Sequence, residues 1–445
     1  MDSPPDGDCS RTVHPDHLQL LRMLDGSPLR LPHDLAWALS CGGTLLDGVS
    51  VFMLGIAIPL LTRDLSLDPR QVALLGAALV GGAVAGSSLG GRLADRLGRK
   101  TVFLLDMAVL TLAAGIGALA WSPPVLIGTQ FAVGIGVGMD FPVSASYVAE
   151  CMPQHARGRM MVATIAAQSV GLLLAAALAV GMLRLGGSTS AWRLFFASEA
   201  ALAALYLLAR LDLPESPRWL MGRGRNREAV RALERLVPGD RQALDAMATR
   251  LEDRIHHVAR VPRQKRPMGL AVLFGRAYRR RTLLSTLPWF LMDIATYGIG
   301  LFTPVLLSAL HAGTTAAAPG SGLEALAAGT GEVDVFLLLG FLVGIWAIAR
   351  FGRIRMQLAG FAGMALGMAM LFASTLLPGG PAHRVALVAA GFVLFNLSMN
   401  MGPNSTTYTS CRRNSSRPRS ARRPPVWPPP APRSVPRWAC SCCPS

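Results

Sequence analysis

Long apolar runs separated by short polar breaks account for most of the chain. About 20 apolar residues allow a helix to cross a bilayer, and ten runs reach or approach that length. We place them at residues 35–61, 72–93, 101–121, 125–148, 160–183, 192–211, 283–310, 333–348, 356–377 and 385–408. Gly and other small residues are frequent in these runs, as in closely packed membrane helices. The pattern predicts an all-α, polytopic membrane protein of about 10 transmembrane helices.

A polar, basic segment divides the first six runs from the last four. Apolar residues recur at helical spacing within 226–260, which predicts short amphipathic helices on the inner membrane surface, close to anionic lipid headgroups. We expect a cytoplasmic tail at 1–34, a six-helix half at 35–212, a basic cytoplasmic linker at 213–281, an incomplete half of four helices at 282–408 and an Arg/Pro-rich tail at 409–445.

Composition narrows the class of protein and its partners. Of the 445 residues, 51% are hydrophobic and 16% are charged, which is too apolar for a soluble globule of this size. The net charge of +17 comes mainly from the linker and the C-terminal tail. No aromatic side chains alternate with these basic residues as stacking platforms, so nucleic acid is not an expected partner. The sequence has neither HExxH nor a P-loop, and we expect no enzyme activity, metal or cofactor.

The basic residues of the short loops predict an orientation. One set of helix ends is rich in base: Arg92, Arg96, Arg99 and Lys100, then Arg157 and Arg159, then the linker, then Arg350, Arg353 and Arg355. On the opposite side, the loop expected at 312–332 has only Glu324 and Glu332 as charges. By the positive-inside rule the basic ends are cytoplasmic. We expect a multi-pass protein of a bacterial inner (plasma) membrane, surrounded by lipid, monomeric, with its N-terminus in the cytoplasm.

An internal repeat relates the two parts of the chain. The sequence GRLADRLGRK at 91–100 follows the second run, and AIARFGRIR at 347–355 follows the eighth. Alignment of Gly98 with Gly352 also matches Arg96 to Arg350 and Arg99 to Arg353. Similar loops at equivalent positions indicate two parallel six-helix halves.

These motifs resemble those of the major facilitator superfamily. The stretch 91–100 matches its motif G-x-x-x-D-R-x-G-R-[RK], and PESPRWL at 214–220 is similar to the sugar-porter signature. Three further stretches resemble the phosphate:proton symporter branch: GIGVGMDFPVSASYVAE at 134–150, WFLMDIATYG at 289–298 and NMGPNSTTY at 400–408. The resemblance implies a major facilitator fold, with a substrate site between two six-helix halves and alternating access driven by a proton gradient.

Two six-helix halves require twelve spans, so the second half is expected to be incomplete. The sequence at 409–445 has two interpretations: a disordered basic tail, or a GC-rich gene read out of frame. A frame-shifted back-translation contains Glu-x-x-Pro-x-x-x-Arg, the pattern that Glu150, Pro153 and Arg157 form after the fourth run. We therefore expect out-of-frame sequence after the tenth helix.

Carboxylates inside the predicted spans are the candidate proton carriers. An Asp at mid-helix costs about 2.5–3.5 kcal/mol on insertion scales, so it persists mainly where it faces a cavity or a partner. Asp47, Asp140 and Asp293 are the expected proton-coupling residues. Asp106 and Glu199 are expected to be structural or interfacial.

A candidate substrate site includes the seventh span. Trp289, Asp293 and Tyr297 are spaced i, i+4 and i+8, so they share one helix face, and the alternative is an aromatic pair packed on a neighbouring helix. The resemblance implies that these three contact substrate and that Asp140 is the fourth-span Asp. It also implies substrate contacts from Gln168, Asn404 and the position of Phe141, where Phe replaces a Tyr and removes a phenolic donor.

The inner loops supply candidate gating residues. By resemblance, the motif of Gly91, Asp95, Arg96, Gly98 and Arg99 forms a gate, in which Asp95 meets helix ends or Arg partners when the inner side is closed. A second inner-face charge pair is expected between Glu150 and Arg157. The run Gly134, Gly136 and Gly138 is interpreted as a helix-packing surface rather than a nucleotide loop.

The predicted function is proton-coupled import of a small anion or polar metabolite. Three alternatives remain open: a sugar facilitator, favoured by the PESPR sequence, a truncated product that does not transport, and a ligand sensor on a transporter scaffold.

Overall fold

The protein is almost entirely helical in a computed structural model that describes residues 15–186, 191–237, 290–296, 321–376 and 381–406, with scattered positions between 246 and 288. The helices are α1 (Pro15–Gly26), α2 (Leu31–Ser40), α3 (Gly42–Asp64), α4 (Pro69–Leu97), α5 (Arg99–Ala118), α6 (Pro123–Cys151), α7 (Arg157–Gly186), α8 (Ala191–Arg210), α9 (Pro217–Gly222), α10 (Asn226–Leu236), α11 (Ser321–Phe351), α12 (Arg353–Leu376) and α13 (Pro381–Met399), which continues into a π turn at Asn400–Asn404. Helices α2–α8 form the first half, and α11–α13 with the π turn belong to the second.

Within the described residues, nine helical segments are long and apolar enough to cross a membrane. Six lie in the first half, as predicted, and α2 and α3 together form the first of them. Three match the runs predicted at 333–348, 356–377 and 385–408. Most of the run at 283–310 lies outside the described residues, although 290–296 is helical.

The prediction of a loop up to residue 332 is wrong. Helix α11 begins at Ser321, twelve residues before the predicted start of that span. Glu324 and Glu332 were interpreted as loop charges, but both lie on the helix. Arg184 on α7 donates from Nε to Glu324 Oε1 at 2.5 Å, and Glu332 is exposed, so a helix accommodates both charges.

Glycines allow a close helix contact between α4 and α6. A Cβ on Gly86 would collide with the backbone of Ile135, and one on Gly138 would collide with the backbone of Ala83. A Cβ on Gly134 would likewise meet the backbone of α4. The interpretation of this Gly run as a packing surface is confirmed, because a side chain at these positions would push the two helices apart.

The internal repeat has a shared backbone geometry. Gly98 separates α4 from α5 with a φ of 104°, and Gly352 separates α11 from α12 with a φ of 83°. These left-handed values favour glycine, since a Cβ there meets the backbone. The turn that breaks the helix is therefore the same in both halves.

Helices α1 and α10 share an apolar cluster. Leu20 and Leu24 of α1 are buried together with Val230, Leu233 and Leu236 of α10. Part of the expected N-terminal tail is therefore a docked helix. The predicted amphipathic helix is confirmed for α10, but its apolar face is covered by protein rather than by lipid.

Candidate functional site

A fully buried arginine joins two of the intramembrane carboxylates. Arg210, the last residue of α8, donates from Nη2 to Asp140 Oδ1 on α6 at 2.7 Å and from Nη1 to Asp106 Oδ1 on α5 at 3.1 Å. All three side chains are completely inaccessible to solvent. Arg210 also donates to the Leu39, Ser40 and Phe103 carbonyls, at 2.9, 3.3 and 3.2 Å, so its position is fully determined. We call Asp106, Arg210 and Asp140 the buried triad.

The buried triad has one positive group for two carboxyl groups. Asp106 Oδ2 and Asp140 Oδ2 find no hydrogen-bond donor among the described side chains and backbone groups. Two ionised carboxylates and one guanidinium leave one uncompensated negative charge in a buried site, which is costly. A single proton on the set would make it electrically neutral.

A carboxylate–amide pair connects α3 and α7. Gln168 Nε2 donates to Asp47 Oδ2 at 2.5 Å, and Asp47 is only 1% exposed. The helices approach closely at this level, where Gly48 faces the backbone of Gln168. The structure thus brings together two residues predicted separately, a proton carrier and a substrate contact.

Ser169, which follows Gln168 on α7, faces the second half. Asn400 Nδ2 lies 3.5 Å from Ser169 Oγ and donates to the Leu337 carbonyl on α11 at 2.9 Å. Asn404 Nδ2 in turn donates to Asn400 Oδ1 at 2.9 Å. Pro403 lies within this π turn and lacks an N–H, which explains the local departure from the α-helix. Polar side chains of the two halves therefore meet within the membrane-spanning helices.

The remaining predicted substrate residues are only partly described. Asp293 is half-buried in the helical stretch 290–296, and its neighbour Met292 packs against Leu337 of α11. Trp289 and Tyr297 lie outside the described residues. Phe141 is half-buried on α6, directly after Asp140.

An ionic network links the C-terminal ends of α4 and α6 with the start of α5. Arg99 Nη2 contacts Glu150 Oε1 at 3.0 Å and Asp95 Oδ1 at 3.2 Å. Ser216 Oγ, which follows the end of α8, donates to Glu150 Oε2 at 2.6 Å. Gly98 is buried within this network, where a Cβ would collide with the Glu215 carboxyl group. We call these residues, with Lys100, the inner network.

The other predicted gating residues lie at the edge of the inner network. The Arg96 side chain is exposed, while its carbonyl oxygen accepts from Arg223 at 2.9 Å. The carbonyl oxygen of Asp95 accepts from Trp219 Nε1 at 3.1 Å. Gly91 packs against Pro142 of α6.

The expected Glu150–Arg157 pair does not form in this structure, and that prediction is wrong. Both Glu150 oxygens already contact Arg99 and Ser216. Arg157 starts α7 after the turn at 152–156, and its guanidinium donates to the Met152 carbonyl and, at 2.5 Å, to Asp25 of α1. The turn directs Arg157 toward the docked N-terminal helix rather than back along α6.

Sequence reasoning missed two central residues. Glu215 accepts the backbone N–H groups of Arg99 at 2.9 Å and Lys100 at 3.2 Å. Burial raises the pKa of Glu215, and these hydrogen bonds offset only part of that effect. Its membership of the PESPR stretch was the only signal. Arg210 was overlooked because an Arg at the cytoplasmic end of a span looks like an ordinary positive-inside charge.

Glu199 was expected to be structural. It is buried on α8 and accepts a hydrogen bond from Ser50 of α3. Its place between two helices of the first half agrees with that expectation.

Comparisons with known proteins identify the family to which the chain is similar. The family model described as sugar (and other) transporter matches residues 53–417. The chain is 28% identical over 386 residues to the inner membrane metabolite transport protein YgcS of Escherichia coli (strain K12), with 86% of this chain and 78% of that protein covered. It is also 28% identical over 444 residues to the probable inorganic phosphate transporter 1-12 of Oryza sativa subsp. japonica, with 88% and 77% covered.

A solved structure supports the fold independently. The xylose transporter XylE from E. coli, in a partially occluded inward open conformation, superposes with a TM-score of 0.65 at 22% identity. The match covers 85% of this chain and 86% of XylE. At that identity the likeness shows the fold, and the family match extends over more than half of the chain. The chain therefore belongs to the sugar (and other) transporter family of the major facilitator superfamily, whose members are multi-pass membrane transporters rather than enzymes.

Proposed function

We propose that the protein is a monomeric, proton-coupled secondary transporter that imports a small anion or polar metabolite by alternating access. The observation that carries this proposal is the junction between the halves. Asp47 and Gln168 of the first half lie beside Ser169, which meets Asn400 of the second half. Hydrogen-bonding groups from both halves at one level of the membrane suit a polar substrate that both halves contact.

The carboxyl groups of the first half suit proton coupling. A proton on Asp140 would remove the negative charge that Arg210 Nη2 contacts, and with it the Coulombic attraction between the two opposite charges. Protonation would thereby loosen the contact between α6 and α8. Asp47, which contacts Gln168, and Asp293 of the second half are proposed to exchange protons with the substrate site.

The inner network suits a cytoplasmic gate. It connects α4, α5 and α6 with the segment after α8 through Arg99, Glu150 and Glu215. When these contacts separate, the cytoplasmic ends of the helices can move apart. Arg157 and Asp25 would hold α1 against the same ends.

A sugar facilitator is the second candidate. Gln168, Asn400 and Asn404 carry uncharged amide groups, which suit the hydroxyl groups of a sugar as well as an anion. The family match and the XylE fold favour this candidate, and XylE is itself a proton:xylose symporter.

Uptake into proteoliposomes tests the proposal. We would measure accumulation of radiolabelled inorganic phosphate, xylose, glucose and nicotinate with and without an acidic exterior. Proton coupling predicts that one compound accumulates only with the gradient, and that a protonophore or Asp293→Asn abolishes accumulation. Gradient-independent equilibration would favour the facilitator. Binding without flux would favour a ligand sensor. The absence of both binding and flux would favour a truncated product that does not transport.

A further inference from the structure

A carboxylate that the sequence did not single out is buried in the second half. Asp334 lies on α11 within the span Ala327–Ile348, and only 8% of its surface is exposed. Among the residues that the structure describes, it has no hydrogen-bond or ion-pair partner. It differs in this respect from Asp47, Asp106 and Asp140, each of which contacts a polar side chain.

Asp334 shares a helix face with residues that pack on the first half. Ala327 belongs to the apolar cluster that includes Ala175 and Ala176 of α7. Leu337 packs with Leu172. Asp334 lies seven residues after Ala327 and three before Leu337, and such spacings fall on one face of a helix. The side chain is therefore placed where α11 meets α7, one turn from the Leu337 carbonyl that accepts from Asn400.

The described elements around Asp334 supply no compensating charge. Residues 172–176 of α7 are Leu and Ala, and described α13 residues 386–399 carry no ionisable side chain. Arg184 of α7 is paired with Glu324 nearer the helix start, and Glu332 is exposed. On α12 the basic residues lie at its start, and the π turn offers only neutral Asn side chains. The 290–296 stretch, whose Met292 shares an apolar cluster with Leu337, carries Asp293, which would add further negative charge.

An isolated carboxylate in such a setting is costly when ionised, and such a group normally becomes neutral instead. We infer that Asp334 is a proton-binding site of the second half, which holds its proton while α11 is packed on α7. Separation of α11 from α7 would admit water and let the proton leave. This inference rests on the proposed alternating access for its role in transport, but the bound proton itself does not depend on transport.

Infrared spectroscopy of the purified full chain in lipid tests this inference. A protonated carboxylic acid has a C=O stretch that an ionised one lacks. We expect such a band at pH 7, with a component that is missing from Asp334→Asn and retained in Glu332→Gln, the matched control two residues away. Asp334→Glu keeps a protonatable group in a different position and is expected to shift the band.

The inference is overturned if neither Asp334 variant changes the carboxylic acid band. Recovery of the variants as monodisperse protein with unchanged helical circular dichroism ensures that the comparison concerns folded material. A band that depends on Asp334 in a protein without proton-coupled uptake would support the proton site and contradict the proposed function, so the two failures can be distinguished.

Discussion

Arg210 Nη2 lies 2.7 Å from Asp140 Oδ1, with both side chains completely buried between α6 and α8. The same guanidinium reaches Asp106 on α5, so three helices of the first half share one ionic contact. A buried charge that loses its partner is strongly destabilising, whereas a complete set is tolerated. The buried triad is therefore a structural requirement of the first half.

Arg210→Met is expected to destabilise the protein by about 3–5 kcal/mol, because it leaves two buried carboxyl groups without their cation. Thermal unfolding in detergent measures the effect. Arg231→Met on the exposed face of α10 is the control, expected to change stability by no more than about 0.5 kcal/mol. Adding Asp106→Asn and Asp140→Asn to Arg210→Met should recover part of the loss. Equal unfolding temperatures for the two single variants would contradict this role.

A double-mutant cycle tests the partner of Glu150. Glu150 contacts Arg99 and not Arg157. The cycle of Glu150→Gln with Arg99→Gln should show a coupling free energy of about 0.5–3 kcal/mol. The cycle of Glu150 with Arg157 should be additive within about 0.5 kcal/mol. Coupling only in the second cycle would support the pair predicted from sequence instead.

Glu215 predicts a pH dependence of stability. Its pKa is raised above the ordinary value of 4.5 because the carboxyl group is buried. The stabilisation that its protonated form contributes is present below pH 4.5 and is lost as the pH rises through the raised pKa. Glu215→Gln should therefore flatten the fall in unfolding temperature above pH 4.5. Glu228→Gln, at an exposed position of α10, should leave that slope unchanged, and the same slope in all three proteins would refute the prediction.

Two glycines of one helix form a matched pair for the α4–α6 contact. Gly138→Ala places a Cβ against the backbone of α4 and should destabilise by about 1–3 kcal/mol. Gly128→Ala, also on α6, meets nothing within 4 Å and should stabilise by about 0.5–1 kcal/mol through helix propensity. Unfolding in detergent compares the two. If Gly128→Ala destabilised the protein and Gly138→Ala did not, the packing surface would lie elsewhere on α6.

The local features of this protein could be predicted from its sequence. The length of each apolar run determines whether a helix can span the bilayer, and the six spans of the first half are present in the structure. The motif around Gly98 and its repeat at Gly352 predicted two related helix breaks, and both glycines adopt positive φ. Asp47 and Asp140 were recognised because an acidic residue within an apolar run is exceptional by itself.

The choice of partners was decided only by the tertiary structure. Arg210 and Asp140 are 70 residues apart, and no spacing rule connects them. Glu150 contacts Arg99 rather than the nearby Arg157, because a turn redirects the chain before α7. Asp334 went unnoticed because its burial depends on how α11 packs against α7. Apolar length and helix breaks are properties of a segment alone, whereas the partner of a buried charge depends on which helices pack together.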